Sequence, residues 1–290
     1  IRKYDYPVIA ALDIHNRDFS LKINCGGPAY NDYRADWKRA EPRDIAVDDF
    51  YADWATNQFG PEAGADAARL FAAIDGRLPR PTQWIAGPGS FYADRRAWDE
   101  VSKDYAFVAE FEKLQSSVQG AGNRERFDYW LNNFRYMRAV AQLNCLWGAF
   151  DSAMEKVTAI KDAEVKANEA GTNALPLYTD MVRKTGEVME YLLATVSTNG
   201  EIGTVANVNT HTLPRLLGET GKKLSEALGG ELPAEAVPGR TYTGKARLIV
   251  PTVRAAVMEN EAVKLKAIVL DNAPPKTVEL NWRPMGKGDF

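Results

Sequence analysis

The sequence of 290 residues has few of the side chains that most often carry catalysis or bind metals, because it contains two cysteines and two histidines. Cys25, Cys145, His15 and His211 lack the spacing of a Cys/His zinc site, and two cysteines cannot build a disulfide scaffold. Every apolar run is much shorter than the roughly 20 residues of a membrane-spanning helix. We therefore expect no metal site and no membrane span.

The sequence also lacks an excess of positive charge. Its 36 Lys and Arg residues are outnumbered by 39 Asp and Glu residues, and the formal net charge of −3 argues against a nucleic-acid partner. No phosphate-binding loop, dinucleotide fingerprint or nucleophile elbow occurs. We therefore expect no cofactor, and the sequence assigns no catalytic residue. The hydrophobic content of 45% is that of a globular protein, and the length predicts about two domains.

Hydrophobic periodicity divides the chain into four segments. They are an extended segment at 1–47, a helical domain at 48–195, a loop-rich connector with a short helix at 196–239, and a β-sandwich-like segment at 240–290. The predicted fold class is therefore α+β, a helical domain followed by a partial antiparallel β-sandwich. A strand-like alternation at 278–282 leads into a glycine-rich turn near the last residue, which predicts that the sandwich is incomplete. The chain is then a fragment or subunit of something larger, and an ordinary frayed terminus is the alternative.

Local signals predict several boundaries. Phe19, Leu21 and Ile23 alternate with polar residues, as in a strand. Asp48 and Asp49 favour the start of a helix, and Gly60 followed by Pro61 predicts the end of that helix and the start of the next. Asn123 is a candidate N-cap for a long helix with a wide apolar face.

Three clusters combine aromatic rings with side-chain amides, a combination that suits a sugar. A sugar ring has an apolar C–H face, which packs on aromatic rings, and a rim of hydroxyls, which amides can bind as donors and acceptors. The candidate substrate-binding residues are Trp54, Asn57, Gln58, Trp84, Asn133, Asn207, Asn209 and His211. The alternative is that the tryptophans are core anchors and the amides cap loops. Exposure of Trp54, Trp84 and Trp147 distinguishes the two interpretations.

Several short motifs resemble a known class of enzymes. The run at 50–63, Leu-Pro-Arg-Pro at 78–81 and Trp-Ile-Ala-Gly-Pro-Gly at 84–89 resemble the helical region that follows the catalytic barrel in large bacterial polysaccharide-degrading glycoside hydrolases. The nearest types are α-glucuronidase-like and agarase-like. Separately, the run at 21–27 is similar to the opening strand of a malectin-like carbohydrate-binding domain.

This resemblance implies an ancillary part of a glycoside hydrolase that acts on a plant or algal polysaccharide and is periplasmic or secreted. The implied partners are an oligosaccharide or polysaccharide and the remainder of a larger enzyme or a partner subunit. The family's catalytic carboxylates lie on barrel strands, and no such succession of strands and helices is present here. The isolated chain is therefore expected not to be catalytic. The alternatives are a stand-alone carbohydrate-binding module and a structural or oligomerisation unit.

Overall fold

The computed structural model describes residues 10–16, 19–25, 34–35, 48–82, 90–239, 242, 244–251 and 258–280. The chain divides into two units, residues 1–47 and residues 48–290. In the first unit, strands β1 (Ala10–Asn16) and β2 (Phe19–Cys25) form an antiparallel hairpin, and β3 (Arg34–Ala35) pairs in parallel with β2. The strand predicted from the alternation of Phe19, Leu21 and Ile23 is confirmed as part of β2.

The second unit is mostly helical. Its helices are α1 (Asp48–Phe59), α2 (Pro61–Ile74), α3 (Trp98–Val101), α4 (Ala106–Lys113), α5 (Ala121–Ala159), α6 (Ala163–Glu169), α7 (Leu175–Ala194), α8 (Asn199–Asn207) and α9 (Thr220–Leu228). The unit also contains short 3₁₀ segments at Ser102–Tyr105, Leu114–Ser117 and Ala234–Ala236. Together with the short strands, these helices confirm the α+β class at this coarse level.

The boundary between α1 and α2 is the one predicted from the sequence. Gly60 adopts a φ of 86°, which a side chain would disfavour, and Pro61 occupies the first turn of α2. Asp48 and Asp49 lie in the first turn of α1, where negative charge is favourable.

Helix α5 spans 39 residues and contributes to both hydrophobic cores of the second unit. Its amino-terminal half packs with α1, α2 and α4, and its carboxyl-terminal half packs with α7 and α9. The predicted N-cap at Asn123 is wrong. The helix begins at Ala121 because Gly120, at a φ of 81°, turns the chain before it, and the Asn123 amide donates to the Gln119 carbonyl instead.

The short helix predicted within the connector, at about 214–228, is confirmed, whereas the loop predicted before it is wrong, because residues 199–213 are helical as well. Thr198 and Glu201 form a capping box that starts α8, and Val208, Leu216 and Leu217 bury their side chains in the core. Glycine, asparagine and threonine are weak helix formers, so the local composition favoured a loop. Burial against α5 and α7 outweighs that local preference.

Two prolines of this unit, Pro176 and Pro214, lie at widened helical turns. Turns of π-helix cover Ala170–Ala174, just before Pro176, and Val208–Thr212 and Pro214–Glu219. Proline cannot donate a helical hydrogen bond, and its ring clashes with the preceding turn of an α-helix. A wider turn relieves that clash, so the helical path continues from α6 into α7 and from α8 into α9.

The carboxyl-terminal region contains two short strands, β4 (Arg247–Ile249) and β5 (Ile268–Leu270), paired in antiparallel. No β-sandwich is present in the part of the chain that the structure describes. The described part of the predicted strand at 278–282, residues 278–280, forms no strand, and residues 281–282 lie outside the described residues. Two strands of three residues cannot cover a second sheet, and large apolar side chains there, including Leu248, Val263 and Leu280, are exposed.

Candidate functional site

Helices α5 and α7 pack together, and each contributes a polar stripe to the same groove. Asp128, Asn132 and Arg135 lie four and three residues apart on α5, while Glu187 and Tyr191 lie four apart on α7. Residues at this spacing share one face of a helix. The two stripes therefore line the walls of one groove.

The groove consists of two adjoining cavities. The aromatic cavity, of about 390 Å³, is lined by residues that include Trp98, Tyr105, Arg138 and Lys184. The polar cavity, of about 650 Å³, is lined by residues that include Asp128, Tyr129, Asn132, Ser197 and Arg247. Arg135 and Tyr191 line both cavities, so the two cavities are neighbours that meet at this pair of side chains.

Ion pairs hold the walls of the groove in place. The Oε1 atom of Glu112 accepts hydrogen bonds from Arg135 Nε at 2.7 Å and from the Arg138 guanidinium at 3.3 Å. The Arg135 guanidinium also lies 5.9 Å from the centroid of the Tyr191 ring, within the range of a cation–π contact. Because Glu112 is already bound by two arginines, it acts as a support for the site.

The buried cation of the aromatic cavity is paired in the same way. Lys184, with 9% of its side chain exposed, places Nζ 2.6 Å from Glu187 Oε2. Burial raises the pKa of the Tyr105 phenol, so this hydroxyl is protonated at neutral pH. The Trp98 and Tyr105 rings lie 6.4 Å apart. Tyr105 itself is a core residue, so the half-buried rings of Trp98 and Tyr191 supply the aromatic surface of this cavity, beside the charged donors of Arg138 and Lys184.

The polar cavity offers both donors and acceptors. Gln115 Nε2 donates to Asp128 Oδ1 at 2.8 Å, and Asn132 Nδ2 donates to the Asp128 carbonyl at 2.7 Å. The Tyr129 hydroxyl lies 3.5 Å from Glu201 Oε1. A dense mixture of amides, hydroxyls and carboxylates suits a ligand whose own groups both donate and accept.

Among the predicted site residues, Trp54 packs into the core. Its ring centroid lies 4.7 Å from that of Phe71, 5.4 Å from that of Phe59 and 5.7 Å from that of Trp130. This placement supports the alternative stated for the tryptophans, a core anchor. Trp84 lies outside the described residues. Trp147 is half-buried, with the Arg215 guanidinium 5.5 Å from its ring centroid.

The predicted amides of α1 and α5 make local contacts. Asn57 Nδ2 donates to the Asp53 carbonyl at 2.9 Å, and Asn133 Nδ2 donates to the Tyr129 carbonyl at 2.8 Å. The backbone carbonyl of Gln58 accepts from Arg126 at 2.9 Å. Asn57, Gln58 and Asn133 do not line the two cavities of the groove.

Asn207, Asn209 and His211 lie at the end of α8 and in the π-helical turn after it, and not in a loop as the sequence predicted. Asn209 and His211 are exposed. Asn207 and His211 are four residues apart and share a face, whereas Asn209, two residues from each, faces the other side. The structure therefore does not bring the three together, and the role of His211 in sugar binding stays a prediction.

A further cavity, of about 890 Å³, lies where α5, α6 and α9 meet. Its rim includes Lys166, Lys223 and Glu226, and burial raises the pKa of the Asp151 carboxyl at its edge. Phe150, the aromatic residue of its lining, is buried, and no side-chain amide lines it. This cavity therefore matches a sugar less well than the groove does.

The sequence contained a signal for the groove. The adjacent asparagines at 132 and 133 are poor choices for the interior of a helix unless they have partners or face solvent, and one of them, Asn132, lines the groove while Asn133 does not. The sequence did not reveal the other wall of the groove, which α7 forms. The polar residues of α7 indicate a site only once α7 is known to pack beside α5, and sequence spacing does not show that packing.

In the described part of the chain, no helix combines the length and hydropathy of a membrane span, and no cluster of three or more metal-ligating side chains occurs.

Known proteins give no further guide to the site. Comparison with protein-family models, curated proteins and solved structures found no match.

Proposed function

We propose that this chain is an ancillary, non-catalytic part of a glycoside hydrolase that acts on a plant or algal polysaccharide, and that the groove between α5 and α7 binds an oligosaccharide chain. The observation that carries the proposal is the composition of the groove. The half-buried aromatic rings of Trp98 and Tyr191 and the amides of Gln115 and Asn132 line the two neighbouring cavities.

The groove offers partners for both the apolar C–H face and the hydroxyl rim of a sugar. Rings such as Trp98 and Tyr191 offer apolar surface to the C–H face, whereas amides and hydroxyls of the polar cavity bind the hydroxyl rim. The adjacency of the two cavities at Arg135 and Tyr191 favours several linked units over a single sugar. Glu112 and Glu187 are engaged in ion pairs, which favours a binding role over a catalytic one.

The wider assignment depends on the resemblance of the helical region to polysaccharide-degrading enzymes. It implies a periplasmic or secreted parent enzyme whose remaining part, or a partner subunit, carries the catalytic carboxylates. The groove then holds substrate near a catalytic site built elsewhere.

Titration calorimetry of the chain with neutral and uronic-acid-bearing oligosaccharides tests the proposal. Tyr191→Ala removes the ring that both cavities share, and we expect the affinity to fall about fivefold to tenfold, the equivalent of roughly 1–1.4 kcal/mol. Trp147→Ala is the matched control, because Trp147 is also a half-buried ring beside an arginine but does not line the groove. We expect the control to retain the affinity of the wild type.

His211→Ala compares the groove with the site predicted from sequence. If His211→Ala weakens oligosaccharide binding while Tyr191→Ala binds like the wild type, the binding site lies at the end of α8 and not in the groove. The absence of oligosaccharide binding would favour a structural or oligomerisation unit. Turnover of a polysaccharide by the isolated chain would refute the non-catalytic assignment.

A further inference from the structure

Arg247, the first residue of β4, lines the polar cavity and has an unusual hydrogen-bonding state. Its Nε atom is buried, and no acceptor for it exists among the described residues. Buried donors in folded proteins nearly always have a partner, because leaving one unpaired costs about 1–3 kcal/mol. The unpaired group therefore calls for a physical explanation.

The other arginines of the groove differ from Arg247 in this respect. Arg135 and Arg138 donate to Glu112, and Arg124 Nε donates to the Val118 carbonyl at 3.1 Å. Turning any of these guanidinium groups toward a ligand would break a bond within the protein. Turning Arg247 toward a ligand breaks no such bond and gives its Nε–H an acceptor.

The charges of the polar cavity indicate what kind of acceptor Arg247 meets. Apart from Arg135, which is paired with Glu112, the lining contains three cations and three carboxylates. They are Arg124, Lys245 and Arg247, and Glu125, Asp128 and Glu190. Because these charges balance, an anionic ligand gains little there, whereas an uncharged hydroxyl or ring oxygen can accept from Arg247 without facing repulsion from the carboxylates.

We propose that Arg247 is a ligand-binding residue of the groove and that it donates a hydrogen bond to an uncharged sugar unit of the bound oligosaccharide. This inference rests on the function proposed above. The buried side chain of Ile249 anchors β4 two residues away, on the same side of the strand. The bound chain therefore contacts β4 as well as the walls formed by α5 and α7.

Calorimetry with neutral xylo-, cello- and agaro-oligosaccharides of increasing length tests this assignment. Arg247→Met keeps much of the aliphatic stem and removes the donors, and we expect it to weaken binding about threefold to tenfold. Arg77→Met is the matched control, because Arg77 is exposed in the turn after α2 and does not line the groove. The control should bind like the wild type.

Thermal unfolding adds a readout that separates a binding role from a structural one. Because Arg247→Met removes an unpaired buried donor, its melting temperature should equal or exceed that of the wild type while its affinity falls. A fall in both melting temperature and affinity would assign Arg247 a structural role and overturn the inference.

The outcomes also separate this inference from the proposed function. If oligosaccharides bind and Tyr191→Ala weakens them while Arg247→Met does not, the groove stands and the role of Arg247 is wrong. If Arg247→Met affects only uronic-acid-bearing oligosaccharides, or if Arg247→Lys restores full affinity and that affinity falls steeply with salt, the uncharged acceptor is wrong. If neither variant changes binding, or no oligosaccharide binds, both proposals fail.

Discussion

The two halves of helix α5 are built into the protein in different ways. The amino-terminal half packs in a cluster of aromatic rings, which includes Phe59, Phe71, Phe111, Phe127 and Phe134. The carboxyl-terminal half packs mainly with aliphatic side chains of α7 and α9, and the backbone at Pro81, Tyr92 and Asp94 is held against it by hydrogen bonds to Asn144.

The contacts of the carboxyl-terminal half depend on particular small or polar residues. Buried Asn144 donates to the Pro81 carbonyl at 2.7 Å, and its own backbone carbonyl accepts from the Asp94 amide at 2.9 Å. Gly148 lies so close to Asp94 that a Cβ atom would overlap the Asp94 carbonyl. The comparison shows that burial of large rings stabilises one half, whereas fit at individual positions stabilises the other.

The largest expected effect comes from the aromatic half. Phe127 is fully buried and stacks on Phe111 with the ring centroids 4.3 Å apart. We expect Phe127→Ala to lower the free energy of unfolding by about 3–5 kcal/mol, because it leaves a cavity in the core. Phe50→Ala, at an exposed phenylalanine of α1, should change it by less than about 0.5 kcal/mol. Chemical denaturation measures both, and similar values would show that the aromatic core does not carry this half.

A smaller loss is expected from the close approach at Gly148. Gly148→Ala forces the added methyl group against the Asp94 backbone and should lower the free energy of unfolding by about 1–3 kcal/mol. Gly186→Ala in α7 is the control, because no atom lies within 4 Å of a Cβ at that position. The same change there should raise the stability by about 0.5–1 kcal/mol, since alanine favours the helix. Opposite signs would confirm the interpretation, and equal effects would contradict it.

The smallest effect concerns Asp94 and depends on pH. Hydrogen bonds from the Arg96 side chain, with a contribution from its backbone amide, lower the pKa of the Asp94 carboxyl. The ionised form is therefore favoured in the folded state. Its contribution to stability is present above the unfolded pKa of about 4 and is lost as the pH falls through the lower folded pKa.

Asp94→Asn should accordingly lower the free energy of unfolding at neutral pH by up to about 1 kcal/mol, because Arg96 is half exposed and the ion pair is partly screened. The difference from the wild type should shrink in acid, as Asp94 becomes protonated. Asp104→Asn, at an exposed carboxylate, is the comparison for a simple change in charge. Unfolding curves over a range of pH that show a difference growing in acid would contradict the assignment.

Local sequence signals were sufficient to predict the elements whose residues have strong backbone preferences or a clear apolar periodicity. Gly60 and Pro61 specify a boundary because one tolerates a positive φ and the other suits a first helical turn. The apolar face of α5 is equally local, since Phe127, Leu131 and Phe134 repeat at helical spacing. Burial raises the pKa of the Cys145 thiol to about 11, in keeping with an inert cysteine on that face.

Other features depended on contacts between residues distant in sequence. The helical turns at 199–213 form from a sequence rich in weak helix formers, because Val208 is buried against other helices. Because the sequence does not show that burial, it predicted that Asn207, Asn209 and His211 lie in a loop. The amide-rich groups around Trp54 and Asn133 looked suited to a sugar, yet neither residue lines the groove.

The sequence by itself determined the helical character of residues 48–74 and of most of 98–195, the turn at Gly60 and Pro61, and the balance of charge that disfavours nucleic acid, because each follows from local backbone preference or from composition. The tertiary structure alone decided which polar stripes face each other, since only the packing of α7 beside α5 brings Tyr191 next to Arg135. It also decided that Arg247 lies at the groove with an unpaired donor, because the rest of the cavity lining apart from Lys245 comes from residues 115–135 and 190–197, which are distant from it in sequence.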